Sequence, residues 1–205
     1  MFNFLQKHRP VTSNRGLFGT MLAFGIFGLI ASFTLAVEEF HLIKNPDAVL
    51  SCSFNLVLNC STVMQTWQAT VFGFPNMFIG LMAYPMVIMI ALLGLSNAQL
   101  PRWFKRGMLI GYTLGAILAY WLFFQSLYVI QVLCPWCLVV TLSTTILLET
   151  AVRYNLRENT LDFSKSMNKK IQQFLDKDFD KLIVASWIVL LVALVVLKFG
   201  NDLIA

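Results

Sequence analysis

Five long apolar runs alternate with more polar connections along this 205-residue chain. They extend from about Gly16 to Val37, Met77 to Leu95, Gly107 to Ile130, Pro135 to Val152 and Leu182 to Phe199. Each is long enough, at ~20 residues, to cross ~30 Å of hydrocarbon as one helix. From Gly107 to Leu148 no residue is charged. That stretch holds two spans, so the chain must fold back near Gln131 to Cys134. The pattern predicts an all-α integral membrane protein with five transmembrane helices.

The connections carry their own patterns. Residues 38–76 form the longest loop, and from Ser61 to Phe72 the positions Val63, Met64, Trp67, Val71 and Phe72 recur at helical spacing, which predicts a short amphipathic helix at the interface. Gly73 to Asn76 ends it. Residues 97–106 read as a basic turn. In 153–181, Met167, Ile171, Phe174, Leu175 and Leu182 trace one face of an interfacial helix. The chain thus divides into an arm (1–16), a four-helix region (17–152, with 38–76 as its outer loop), an amphipathic segment (153–181) and a fifth span with its tail (182–205). The first apolar run is too long for a signal peptide, and Glu38-Glu39 follows it where a cleavage site would need small residues, so the span is expected to be retained.

Composition agrees with the pattern: 58% of residues are hydrophobic and 12% charged. The net charge of +5 does not point to nucleic acid, because the basic residues gather in connections rather than on a recognition face. Of the fifteen Lys and Arg residues, all but Lys44 and Lys198 lie in the arm, the 97–106 turn and the 153–181 segment, which share one side of a five-span chain. The positive-inside rule places that side, with the amino terminus, in the cytoplasm. The expected location is a bacterial cytoplasmic (inner) membrane, with the cysteines on the oxidising, extracytoplasmic side.

Four cysteines occur, in two close pairs: Cys52 with Cys60, and Cys134 with Cys137 in the motif Cys134-Pro135-Trp136-Cys137. Pro135 suits the first position of a helix, where its missing N–H is not needed. Cys134 is then the N-cap and Cys137 lies in the first turn, where free N–H groups and the helix dipole favour thiolate. Two pairs on one face can pass two electrons by thiol–disulfide exchange through a mixed disulfide. An acceptor dissolved in the membrane would be a quinone, in a bundle core capped by Trp67, Trp136 and Phe72. Other readings stay open. Both pairs could be static staples, although a bridge between Cys134 and Cys137 closes almost no loop. A four-cysteine metal site would need an unusual seven-residue spacing in one pair. A small transporter would be expected to show an intramembrane charge or paired repeats.

The order C-x7-C, then Ser61, the stretch Phe72-Gly73-Phe74-Pro75-Asn76, and C-x-x-C opening a later span resembles the vitamin K epoxide reductase family, in its bacterial branch without a fused thioredoxin domain. The resemblance covers about residues 17–152. It implies a four-helix transmembrane bundle around a quinone (menaquinone or ubiquinone), to which the fifth transmembrane helix is added, and a quinone-dependent thiol oxidase that supports disulfide formation in exported proteins. Its partner would be a separate extracytoplasmic thioredoxin-fold (DsbA-like) protein. The resemblance also implies that Cys52 exchanges with that partner, that Cys60 passes electrons to Cys134, and that Cys137 meets the quinone. It implies that Asn76 bonds a quinone carbonyl. Thr66 matches a Ser or Thr of the family's loop helix, and Thr141 stands where some members carry a tyrosine that contacts quinone. DsbB-type proteins do the same task with the pairs in reverse order.

Several other residues have simpler readings. His41 is expected to be solvated, and Gln125 and Gln131 to make helix-to-helix hydrogen bonds. Glu149 reads as a charge at the lipid boundary. Met77, Met82, Met86 and Met89 read as packing.

Overall fold

The computed structural model describes residues 12–46 and 49–204. Most of the amino-terminal arm, with Lys7 and Arg9, lies outside the described residues. Seven α-helices follow in order: α1 (Thr12–Lys44), α2 (Cys60–Met64), α3 (Met77–Leu95), α4 (Arg102–Phe124), α5 (Pro135–Arg157), α6 (Lys165–Asp176) and α7 (Phe179–Ile204). A 3₁₀ turn (Trp67–Thr70) lies between α2 and α3, and a π-helical turn (Gln125–Ile130) extends α4. Five of these helices are long and apolar enough to cross a membrane: α1, α3, α4, α5 and α7.

α1 packs along α3 and α5, and α4 packs along α5, whereas α3 and α4 make little direct contact. The close seams depend on glycine. A Cβ on Gly28 of α1 would sit 2.2 Å from the Tyr84 ring of α3, and one on Gly94 of α3 would sit 2.2 Å from the Phe18 ring of α1. Small residues let membrane helices approach closely enough to gain dispersion contacts. Phe18, Met21, Tyr84, Val87, Leu147, Ala151 and Tyr154 fill the resulting core toward the basic end of the bundle.

The helix ends differ from the apolar runs in instructive ways. α1 continues past Val37 to Lys44, because Glu38 is buried and accepts a hydrogen bond from Ser51, and Pro46 is the first residue to restrict the backbone. α4 begins at Arg102, directly after Pro101, so the basic residues of the expected turn form its first turns. They are neutralised across the bundle end, Arg102 and Arg106 by Asp162 and Lys105 by Glu158. The expected single helix over 61–72 is instead two pieces, since Thr66 is extended and bonds its hydroxyl to the Val63 carbonyl. Leu182 belongs to α7 and not to the α6 face, because the chain breaks at Asp178, whose φ is +53°.

Glu149, read from sequence as a lipid-boundary charge, instead has a buried carboxylate oxygen and lies beside Arg153 and Asp180. Arg153, 3% exposed, donates to Asp178, Asp180 and the Leu175 carbonyl, and so ties α5 to α6 and α7. The Arg153 guanidinium, followed by Lys181, holds the Asp178 carboxyl below its ordinary pKa.

The glycine seam yields a stability prediction. Gly28→Val should lower stability by about 1–3 kcal/mol through overpacking against Tyr84, read as a lower midpoint of thermal unfolding in detergent, while Gly16→Val, at a position with open space around it, should shift it far less.

Candidate active site

The cysteine end of the bundle is assembled by two short backbone hydrogen bonds. Asn59 N–H donates to the Leu133 carbonyl at 3.0 Å, and Leu133 N–H donates to the Val57 carbonyl at 2.7 Å. They form an isolated parallel bridge between Leu58 and Leu133. Each strand of this bridge runs straight into a cysteine, Cys60 on one side and Cys134 on the other. The loop before the bridge is held by Asn55, whose side-chain oxygen accepts from the N–H groups of Val57 and Leu58. Asn59 then caps α2: its side-chain oxygen accepts from Thr62 N–H, Ser53 and Ser61. An Asn at this position satisfies a helix-terminal N–H that would otherwise be buried without a partner.

On the other side, Gln131 takes a left-handed conformation (φ +58°), which turns the chain after the π-helical turn. Cys134 is the N-cap of α5 and Pro135 occupies its first turn. The Cys134 sulfur accepts from the Cys137 N–H at 3.4 Å. The hydrogen-bonded Cys137 thiol lowers the Cys134 pKa most, burial opposes it, and the N–H groups of Cys137 and Trp136 lower it further; the net direction is downward.

Cys52 and Cys60 form a disulfide, while Cys134 and Cys137 are free thiols. The Cys60 and Cys134 sulfurs lie 3.4 Å apart. Cys60, Cys134 and Cys52 are 0%, 1% and 2% exposed, so the apposition is dry. Cys137 is less buried than its neighbour and faces a cavity.

That cavity, of about 360 Å³, runs down the bundle between α1, α3, α4 and α5, a size typical of small-molecule sites. Cys134, Cys137, Asn76, Thr66, Gln68 and Thr141 line its cysteine end. Met86 of α3 and Gly111 of α4 both line it and are exposed, so the chamber opens sideways where α3 and α4 fail to meet. Its walls are overwhelmingly apolar, yet two buried oxygens in residues that line it have no hydrogen-bond partner: Asn76 Oδ1 and the Tyr112 hydroxyl. Native proteins rarely leave such atoms unpaired. Helix rise puts Tyr112 about 20 Å along α4 from Gln125, which meets the Gln68 beside Asn76, so one small ring does not reach both. A flat apolar ring with a hydroxyl group, as a quinol has, fits the walls and can donate to Asn76 Oδ1.

The residues expected from sequence are distributed as follows. Asn76 lies at the wall, where its amide donates to the Gln68 carbonyl at 2.7 Å. Thr141 lines the cavity but bonds its hydroxyl to the Cys137 carbonyl. Trp67 and Phe72 do not line it. The 3₁₀ turn buries Gln68 instead and leaves Trp67 66% exposed, edge-on to Trp121, while Phe72 stacks on Phe74. Trp136 packs beside the Cys52, Cys60 and Cys134 cluster rather than on the cavity. Gln125 accepts from Gln68 at 3.4 Å, a helix-to-loop contact. Tyr112 and Tyr84 were not singled out from sequence; a tyrosine within an otherwise apolar span is the signal that marks them.

A dithiol touching a disulfide at the mouth of an apolar chamber, inside a membrane-spanning helical bundle, defines a class: membrane thiol–disulfide oxidoreductases. The chain belongs to the vitamin K epoxide reductase family, whose model matches residues 20–152. Members of this family are oxidoreductases, and the activity it implies is quinone-linked disulfide redox chemistry. No curated protein and no solved structure matches the chain.

The geometry predicts a specific cross-link. In a Cys52→Ala/Cys137→Ala variant, mild oxidation should give a Cys60–Cys134 disulfide by non-reducing peptide mapping. In Cys60→Ala/Cys137→Ala, Cys52 and Cys134 should pair far more slowly, because the bridge aims Cys60, and not Cys52, at Cys134.

Proposed function

We propose that the protein is a quinone-dependent thiol oxidase that carries electrons from an extracytoplasmic thioredoxin-fold (DsbA-like) protein to a membrane quinone, menaquinone or ubiquinone. The observation that carries this reading is the 3.4 Å approach of a disulfide sulfur to a free thiol beside a chamber with unpaired polar atoms. Residues 17–152 form the redox unit, with 38–76 as its extracytoplasmic loop, and the basic bundle end faces the cytoplasm.

The relay proceeds by exchange. Cys52 is 2% exposed, so the loop must open before a thiolate of the partner attacks it; a mixed disulfide then forms, and the Cys60 thiolate leaves. The partner's second thiolate then releases Cys52 and departs as the disulfide product. Next the Cys60 thiolate attacks Cys134 of a Cys134–Cys137 disulfide, and Cys137 leaves as thiolate. Cys52 thiolate attacks Cys60, which re-forms Cys52–Cys60 and frees Cys134. The structure has the bonding that this step produces. Cys134 is a good leaving group because its neighbours lower its pKa. A quinone held in the chamber would accept the two electrons and two protons given up when the re-protonated Cys134 and Cys137 thiols join as a disulfide. Asn76 and Cys137 line that chamber and are the residues that would hold a ring oxygen and meet the ring.

A static staple is disfavoured by the same contact: two structural disulfides have no need to meet sulfur to sulfur. Cys52 and Cys60, bonded to each other, offer no thiolates to a metal.

Two measurements test the reading. Protein reduced at all four cysteines should convert a short-chain quinone to quinol, followed by absorbance, and Cys137→Ala should abolish this; wild-type turnover no faster than a cysteine-free control would sink the proposal. Asn76→Ala should raise the quinone KM on the order of tenfold, the loss of one buried hydrogen bond, with all cysteine exchange intact.

A further inference from the structure

The fifth span lies beyond the residues matched by the family model, yet it is not a loose anchor. One stripe of α7, Leu191, Val195 and Phe199, turns inward at helical spacing, with the half-exposed Trp187 one turn below it, while Val189, Val192 and Leu197 are 67%, 57% and 84% exposed and face outward. From the middle of α7 to its outer end, Leu191 and Phe199 are buried in one cluster with Phe123, Leu127, Val57 and Leu133. Val57 and Leu133 exchange the 2.7 Å backbone hydrogen bond of the bridge. Midway, Trp187 Nε1 donates to the Tyr120 hydroxyl at 2.9 Å, and Tyr120 bonds Thr145 at 2.7 Å, which joins α7 to α4 and α5. At the far end, Asp180 of α7 binds the buried Arg153. α7 is therefore fixed at three levels, and the uppermost is a cluster that includes both residues whose backbones form the 2.7 Å bond of the bridge.

We propose that α7 is the positioning element of the relay: Leu191 and Phe199 complete the buried cluster that contains Val57 and Leu133 and thereby hold the two sulfurs at exchange distance. The proposal rests on the relay described above and assigns the fifth helix a role in its internal step. Without this packing, an isolated bridge of two hydrogen bonds at a membrane surface is easily opened, since local stability follows buried apolar contact. α7 contributes no residue to the chamber wall, although Phe123 and Leu133 belong both to that wall and to the α7 cluster, so the direct effect of α7 falls on the bridge.

The test separates the two steps in full-length protein. In the Cys52→Ala/Cys137→Ala background, the rate of Cys60–Cys134 disulfide formation by diamide is compared with and without Leu191→Ala/Phe199→Ala. The rate should fall on the order of tenfold, the scale on which a small misplacement of reacting atoms acts, and Leu191 with Phe199→Leu should recover most of it. In the Cys52→Ala/Cys60→Ala background, quinol formation from reduced Cys134 and Cys137 should keep its rate and quinone KM when the same α7 substitutions are added. An unchanged cross-linking rate would overturn the proposal. So would a parallel fall in both reactions, which marks general loss of packing. Absence of quinol in every background would instead overturn the quinone reading, and the cross-linking comparison would still decide the role of α7.

Discussion

Everything at the cysteine end depends on one pairing of backbone, Val57 to Asn59 against Leu133. Thiol–disulfide exchange needs an attacking sulfur close to its target, and a loop of some thirty residues would not hold one there unaided, because each flexible residue multiplies the conformations available. The bridge removes that freedom for the one residue that matters. Asn59 ends the pairing and begins α2, so Cys60 enters a helix at once and its direction is set. Cys134 is set in the same manner, as the cap of α5. Two helix starts held face to face by a bridge of two hydrogen bonds therefore place both sulfurs.

Much of this was legible before any coordinates. The five spans follow from apolar run length, and the C-x-x-C motif with Pro135 specified Cys134 as N-cap because proline tolerates few other positions. Charge was the misleading signal. Arg102, Lys105 and Arg106 read as a turn, yet form the start of α4, because acidic residues distant in sequence, Glu158 and Asp162, neutralise them. Aromatic residues misled in another way. Trp67 and Phe72 have the right spacing for a cap on the core, but the 3₁₀ turn is too short to carry a continuous face, and Gln68 takes the inward position. The Leu58–Leu133 bridge has no sequence signature, since it depends on backbone pairing over a long separation; Tyr112 stands out as a tyrosine in an apolar span, but which face of α4 meets the cavity is not written in the sequence.

The open seam between α3 and α4 is the counterpart of the close seam between α1 and α3. Gly28 and Gly94 admit Tyr84 and Phe18, so α3 is drawn toward α1, and its opposite face is left without a helical neighbour. On α4, Gly111 and Gly115 present almost no side chain to that gap. Glycine thus acts in two senses in one bundle, closing one seam and leaving another open. A ligand soluble in lipid can then reach the chamber without passing the cysteine end, where water and partner proteins would arrive.

Burial arranges the four sulfurs in order. Cys52, Cys60 and Cys134 are sealed, and Cys137 is the least buried of the set. A thiolate sealed from water keeps its nucleophilicity for the neighbour it touches and is protected from oxidation by solutes, since susceptibility follows exposure. Cys60 touches Cys134 and Cys137 lines the cavity, so the contacts define one path from loop to chamber and few side branches. The fifth helix adds Leu191 and Phe199 to the cluster in which Val57 and Leu133 are buried, so the bridge lies within apolar packing and not at an open edge.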